Sequence, residues 1–300
     1  MTAIVLVLFS ALVHASWNLV GKRSRPAAVF FGIASLTGAV LLAPLAIVWR
    51  ETVLLMPASV WWRLLPTALF QTLYFTGLAG AYRTGDMSVA YPIARALPIL
   101  LVPVISLIIG QGEVIGTLSL AGMVVVTLGV LLVMQRSLRD FSWVSFRAGW
   151  FGFALLSGIG TTGYSILDDA ALRSFREAVG GGAASIQAPI IYGLFESLFT
   201  AVGLFLATLI RYGPGRTGRE IRELSLGEAV LAGIGIVLAY GLVLVAFGYA
   251  GNVSYVVAFR QTSLPLGAFL AAAILRERVT GPRIVGTFVL VAGLVMVALG

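Results

Sequence analysis

The sequence predicts an all-α integral membrane protein of ten transmembrane helices, arranged as two inverted five-helix repeats. Three observations lead there. Hydrophobic residues make up 59% of the chain and charged residues only 11%, where a soluble domain carries about 25% charged residues. Mean hydropathy is +1.02, so the side chains cannot cover a globule with water-compatible groups, and lipid must be part of the solvent. The sequence also echoes itself. Gly85, Ser88, Arg95, Pro98, Glu113, Gly122 and Gly129 are matched by Gly251, Ser254, Arg260, Pro265, Glu277, Gly286 and Gly293, with the same Glu-to-Gly-to-Gly interval in both copies. A duplicated apolar half is the mark of a transporter built from repeats, with its site at their interface.

Crossing the hydrocarbon takes about 20 apolar residues as a helix. The first run that qualifies is 3–21. Its Val13-His14-Ala15 looks like a signal-peptidase site, but Met1-Thr2-Ala3 has no positive charge ahead of it, so this helix is expected to stay. Lys22-Arg23-Ser24-Arg25-Pro26 ends it, and 27–49, 60–82 and 88–109 follow. Gly110-Gln111-Gly112-Glu113 makes a tight joint to 114–134. The second half repeats the order with 148–167, 184–210, 228–249, 252–274 and 283–299, the last after Arg276-Glu277-Arg278. The longest linkers are 135–147, 168–183 and 211–227; the middle one holds Gly180-Gly181-Gly182 and is expected to be flexible.

The repeat divides the chain into residues 1–140 and 141–300. Two alike halves of an odd number of spans enter the membrane from opposite sides, which makes the repeat inverted. Joints after the odd-numbered spans hold Lys22, Arg23, Arg25, Arg83, Arg136, Arg139, Arg147, Arg211, Arg216, Arg219, Arg222, Arg276, Arg278 and Arg283. The other joints hold only Arg50, Arg63, Arg173 and Arg176. This asymmetry puts the first set in the cytoplasm and both termini outside, periplasmic if the membrane is a bacterial inner membrane. A bacterial source fits the arginine bias, since Lys22 is the only lysine.

The +8 net charge punctuates apolar runs and forms no basic face, so no nucleic-acid partner is expected. The chain has no cysteine and one histidine. Thiolate catalysis and Cys-ligated metals are excluded, and no metal motif, phosphate-cradling loop or nucleophile triad appears. The expectation is a non-enzyme without cofactor or metal.

The ten spans, the duplication, a first helix reading Leu12-Val13-His14-Ala15-Ser16-Trp17-Asn18 with Lys22 behind it, and the paired Glu-x8-Gly-x6-Gly endings resemble the drug/metabolite transporter superfamily. The likeness is closest to its EamA-type branch, which includes the YddG-like amino-acid exporters. The resemblance implies an inner-membrane exporter of small metabolites. Its central cavity would be lined by the first four helices of each half, with 114–134 and 283–299 at the periphery. The first helix holds no carboxylate of the kind the small four-helix multidrug relatives use for ion coupling, so their mechanism does not transfer directly.

The intramembrane polar residues are the candidate site. Glu196 lies near the middle of the seventh span, where a carboxylate costs about 2.5–3.5 kcal/mol on insertion scales. It shares a helix face with Tyr192, Thr200 and Gly203. It could face a cavity, or be a protonated group bonded to a neighbouring helix. Arg95 and Arg260 lie at matched depths, each ahead of a proline, with Tyr91 a turn before Arg95. They could capture a substrate carboxylate, or snorkel or pair with Glu196. His14, the sole histidine, could carry a coupling proton or simply bond between helices. Trp17 and Asn18 on the same stripe, Tyr164 in the second half, and the matched Tyr74 and Tyr240 could shape a pocket for an organic solute. Asp168 and Asp169 read as solvated charge at a helix end. Gly77, Gly80, Gly122, Gly129, Gly286 and Gly293 read as close helix contacts, and Glu113 and Glu277 as joint residues.

The functional expectation is therefore a secondary transporter exporting small organic solutes, amino acids or related metabolites first, by alternating access. Its partners would be the solute, the bilayer and protons, and its assembly a monomer or homodimer. The alternatives are an exporter of lipophilic drugs or cations, or a non-transporting membrane assembly or lipid-handling protein.

Overall fold

In a computed structural model the described residues are 1–24, 28–84, 87–110, 115–133, 149–180, 186–266 and 280–300. Among them the chain is all helix. The first half gives α1 (Thr2–Ser24), α2 (Ala28–Val48), a short α3 (Arg50–Leu54), α4 (Ala58–Thr84), α5 (Met87–Ile108) and α6 (Thr117–Val133). The second gives α7 (Gly149–Val179), α8 (Gln187–Glu223), α9 (Leu226–Ala246), α10 (Val253–Phe259) and α11 (Gly281–Leu299).

Four helices, α2, α8, α9 with its 3-10 extension to Tyr249, and α11, are long and apolar enough to cross a membrane by length and composition. Shorter apolar stretches lie in α1, α5 and α6. α4 and α7 have the length, at 27 and 31 residues, but carry interior polar groups that lower their hydropathy. Leucines, isoleucines and aromatics such as Ile47, Trp62, Leu69, Ile108, Leu206, Ile210 and Phe288 stay exposed on the outer faces. An apolar surface of that extent needs lipid, and the protein is a multi-pass membrane protein.

The helices pack in pairs: α4 along α7, α1 along α9, α2 along α8, and α6 along α11, with α5 touching α10. Small residues set the spacing. A Cβ on Gly160 of α7 would sit 2.6 Å from the backbone of Phe70 and Tyr74 in α4, and one on Gly77 of α4 2.6 Å from the backbone of Ser157. On α6 and α11, Gly122 would meet the Gly293 carbonyl at 2.7 Å and Gly129 the Leu290 nitrogen at 2.5 Å. These are the close contacts expected of Gly77, Gly122, Gly129 and Gly293. Backbones this near gain packing that lipid cannot supply.

Two expected linkers are helical. α7 runs through Asp168 and on to Val179, because the polar residues that break its apolar run find partners within the protein. Asp169 pairs with Arg173 at 3.0 Å, and Arg176 donates to the Leu244 carbonyl at 2.7 Å. α8 also continues past its expected end, bending at Gly213 (φ 73°, ψ 168°) ahead of Pro214. Beyond the bend the helix carries Arg216, Arg219 and Arg222, and the Arg216 guanidinium lies 4.4 Å from the Tyr212 ring centre. Directly after α10 the chain tightens into a 3-10 turn at Arg260–Thr262, whereas α5 passes its matched Arg95 as uninterrupted α-helix. Glu113, Glu277 and Gly181-Gly182 lie outside the described residues.

Candidate functional site

A cavity of about 440 Å3 opens among α1, α2, α4, α7, α8, α9 and the 3-10 turn. No residue of α6 or α11 lines it. Each lining side chain is placed by a helix pair. Trp17 of α1 is pressed onto α9, its Cβ 2.5 Å from where a Cβ on Gly235 would stand. The Gly160 contact brings Tyr164 of α7 against Tyr74 of α4, ring centres 5.8 Å apart, and Tyr164 meets Tyr240 of α9 at 5.6 Å. The His14 and Trp17 rings meet edge-on at 5.0 Å.

The charged groups sit among these aromatics. Glu196 of α8 accepts from the Gln71 amide of α4 at 2.5 Å. Arg260 lies over the Tyr240 ring at 5.3 Å. The 3-10 turn that carries it is braced from behind by Arg95 of α5, which donates to the Ser263 hydroxyl at 2.6 Å and to the Arg260 carbonyl at 3.4 Å.

Of the residues singled out from sequence, His14, Trp17, Tyr74, Tyr164, Glu196, Tyr240 and Arg260 line this one cavity. Arg95 is not among the lining residues. It holds Arg260's turn, so the two matched arginines have different surroundings. The side chains of Asn18 and Tyr91 lie outside the described ones.

Two residues, Asp168 and Asp169, run against their sequence reading. Asp168 is fully buried, where a solvated helix end was expected. It accepts from Tyr192 at 2.7 Å and from Tyr240. The Thr67 hydroxyl sits 3.3 Å from the Tyr192 oxygen. The available signal was helical spacing, since Asp168 lies one turn beyond Tyr164 on the same face. Asp169 is buried too, paired with Arg173. Thr200 of α8 and the Trp17 indole nitrogen line the cavity without a hydrogen-bond partner.

The chemistry available is recognition. The chamber offers a guanidinium, a carboxyl, phenols and an indole, and among the described residues no group of three or more His, Asp and Glu could hold a metal.

A bundle of apolar helices around a buried chamber of opposite charges has the form of a membrane solute transporter. Residues 1–135 match the model of the EamA-like transporter family. A solved structure described as "Crystal structure of protein" superposes with a TM-score of 0.72 at 16% identity, over 99% of this chain and 96% of that one, which shows a shared fold. No curated protein matches the sequence.

Proposed function

We propose that the protein is a ten-helix secondary transporter, of the drug/metabolite class and YddG-like in action. It exports small zwitterionic solutes, amino acids or close relatives, across a bacterial inner membrane with both termini periplasmic. The observation that carries this reading is the single cavity that gathers Arg260, Glu196 and an aromatic wall from helices of both halves. Arg260 takes the solute carboxylate, which a guanidinium can hold bidentately. The acidic side takes the ammonium, and Trp17, Tyr74, Tyr164 and Tyr240 cover the apolar part.

The helix pairing supports two inverted repeats, 1–140 and 141–300. Exchanging the halves carries the α4–α7 pair onto α9–α1 and returns α2–α8, α5–α10 and α6–α11 to themselves. A two-fold axis between the halves requires that pattern, and rocking of one half against the other gives alternating access.

The test is counterflow of an amino-acid panel in liposomes containing the purified protein, with and without a pH gradient. Saturable exchange of free amino acids is the expected result. The second reading, export of lipophilic cations, is favoured by one observation: Glu196, a buried carboxyl bonded only to the neutral Gln71 amide among the described residues, lines the cavity. Exchange of amino-acid esters and lipophilic cations in place of free amino acids would select it.

A further inference from the structure

We propose that the chamber opens sideways into the bilayer between α2 and α9, and that a long-chain carboxylic acid enters through this gap, its head in the chamber and its chain in the lipid. The inference goes beyond export of free amino acids: it adds a membrane-dissolved ligand and a route for it.

α2 and α9 touch at one level and part at another. A Cβ on Gly233 of α9 would stand 2.5 Å from the Ala34 carbonyl oxygen of α2, and a Cβ on Gly38 of α2 would stand 3.3 Å from Val237. A Cβ on Gly241, about two turns beyond Gly233, would meet nothing within 4 Å. At that level α9 leans on α8 instead, with Leu244 3.2 Å from where a Cβ on Gly193 would stand. The chamber follows the parting outward, past Leu42 of α2 and past Ile234, Leu238, Gly241 and Val245 of α9.

Among the described lining residues only Ile234 and Leu238 are exposed, at 42% and 50%. They flank the middle of α9, Leu226–Ala246, a helix long and apolar enough to cross a membrane. The surroundings at that depth are hydrocarbon, so an acyl chain is what stands at the gap. Buried apolar side chains pack beyond both ends of the chamber. Leu172, Phe175, Phe247 and Val253 lie at one end, and Phe30, Phe31, Leu78 and Leu204 at the other.

The polar groups inside name the head. Thr161, Thr162 and Thr208 each donate to the carbonyl four residues back, a common outlet for a helical threonine. Thr200, 2% exposed, makes no such bond, and the Trp17 indole, 6% exposed, donates to nothing among the described residues. Both line the chamber, and Arg260 adds a guanidinium. The Glu196 carboxyl is already engaged by Gln71 at 2.5 Å. An indole nitrogen and a guanidinium only donate, and a hydroxyl can donate too. A carboxylate, which only accepts, is the complement of all three, and charge on either side strengthens such bonds. A chain lying in the gap stays in hydrocarbon, so binding the head does not bring the chain into water.

The full-length protein is reconstituted in phosphatidylcholine liposomes with a trace of palmitic acid that carries a photoactivatable diazirine, either beside the carboxyl or at the far end of the chain. After illumination, mass spectrometry maps the labelled residues. In plain lipid the carboxyl stays at the membrane surface, so the carboxyl-side diazirine reaches mid-membrane residues only when the head has entered the chamber. It is expected to label Ser197 and Thr200, which lie midway between Gln187 and the bend at Gly213, and to spare their exposed neighbours Leu198 and Val202. The chain-end diazirine is expected to label Leu198 and Val202. Excess unlabelled palmitic acid is expected to remove the chamber label, and excess hexadecane, which has no head, to leave it. Gly241→Phe, which puts a ring where there is room for one, is checked for wild-type elution and melting and is expected to lose the chamber label.

Absence of carboxyl-side label at Ser197 and Thr200 overturns the inference. Equal competition by hexadecane overturns it too, by showing that the head is not recognised, as does a folded Gly241→Phe variant that keeps the chamber label. The comparison of the two probes on the wild type decides even if the variant does not fold. Amino-acid counterflow is read separately. Chamber labelling without counterflow supports this inference and overturns the amino-acid reading, and counterflow without chamber labelling does the reverse.

Discussion

At the scale of single residues, the cavity holds its charges by different means, and each makes a different prediction. Arg260 lies over the Tyr240 ring on a turn that Arg95 braces, which presents its guanidinium to the cavity. Lysine offers only a point charge. Arg260→Lys is expected to lower amino-acid transport in liposomes about tenfold, equivalent to ~1.4 kcal/mol, with unchanged melting. Arg95 acts at one remove, through Ser263 and the Arg260 carbonyl. Arg95→Lys is expected to lower the melting temperature and to change transport less than Arg260→Lys does. Equal transport defects would place Arg95 in the solute path. Glu196→Gln keeps the size and the Gln71 contact and removes the charge. It should insert normally, because a neutral group costs less at mid-membrane, and transport is expected to fall at least about tenfold. Wild-type rates in that variant would give Glu196 a structural role only.

At the scale of elements, the helix pairs depend on glycines that let backbones touch. In the α4–α7 pair Gly160 has no room for a side chain, whereas Gly152 on the same helix faces open space. Gly160→Leu is expected to destabilise the detergent-solubilised protein by about 1–3 kcal/mol, the usual cost of overpacking, while Gly152→Ala leaves its melting within error. Equal melting of both variants would show that α4 and α7 do not meet as described. The same scale explains why two helix ends escaped sequence reading. Hydropathy falls at Asp168 and at Arg211, which sequence alone takes for the membrane surface. Asp168 is instead accommodated by Tyr192 and Tyr240, 24 and 72 residues away in the chain. The α8 helix resumes after Gly213 because glycine tolerates the positive φ of the bend.

At the scale of the whole molecule, the basic joints and the proposed inverted repeat make a topological prediction in a chain that has no cysteine of its own. Ser137→Cys, in the cytoplasmic linker by charge count, is expected to resist a membrane-impermeant thiol reagent in intact cells. Val179→Cys, at the half-buried last residue of α7 beside exposed Gly180, is expected to react. The opposite pattern would invert the orientation and place the α4–α7 end of the cavity toward the cytoplasm.

Composition and periodicity alone establish that this is a helical membrane protein, because hydropathy and charge spacing are local properties that the bilayer reads directly. The matched Gly, Arg and Pro landmarks also point to the proposed duplication, and intramembrane polarity points to His14, Trp17, Tyr74, Tyr164, Glu196, Tyr240 and Arg260, since a polar group inside an apolar run is costly wherever the chain goes. Only the tertiary structure brings these residues onto one cavity, moves Arg95 behind it, and turns Asp168 from a helix-end charge into a buried acceptor for Tyr192 and Tyr240. Those outcomes depend on which helices touch. That is decided by backbone approach at glycines such as Gly160 and Gly235 and by donors on distant helices, neither of which any window of neighbouring residues contains.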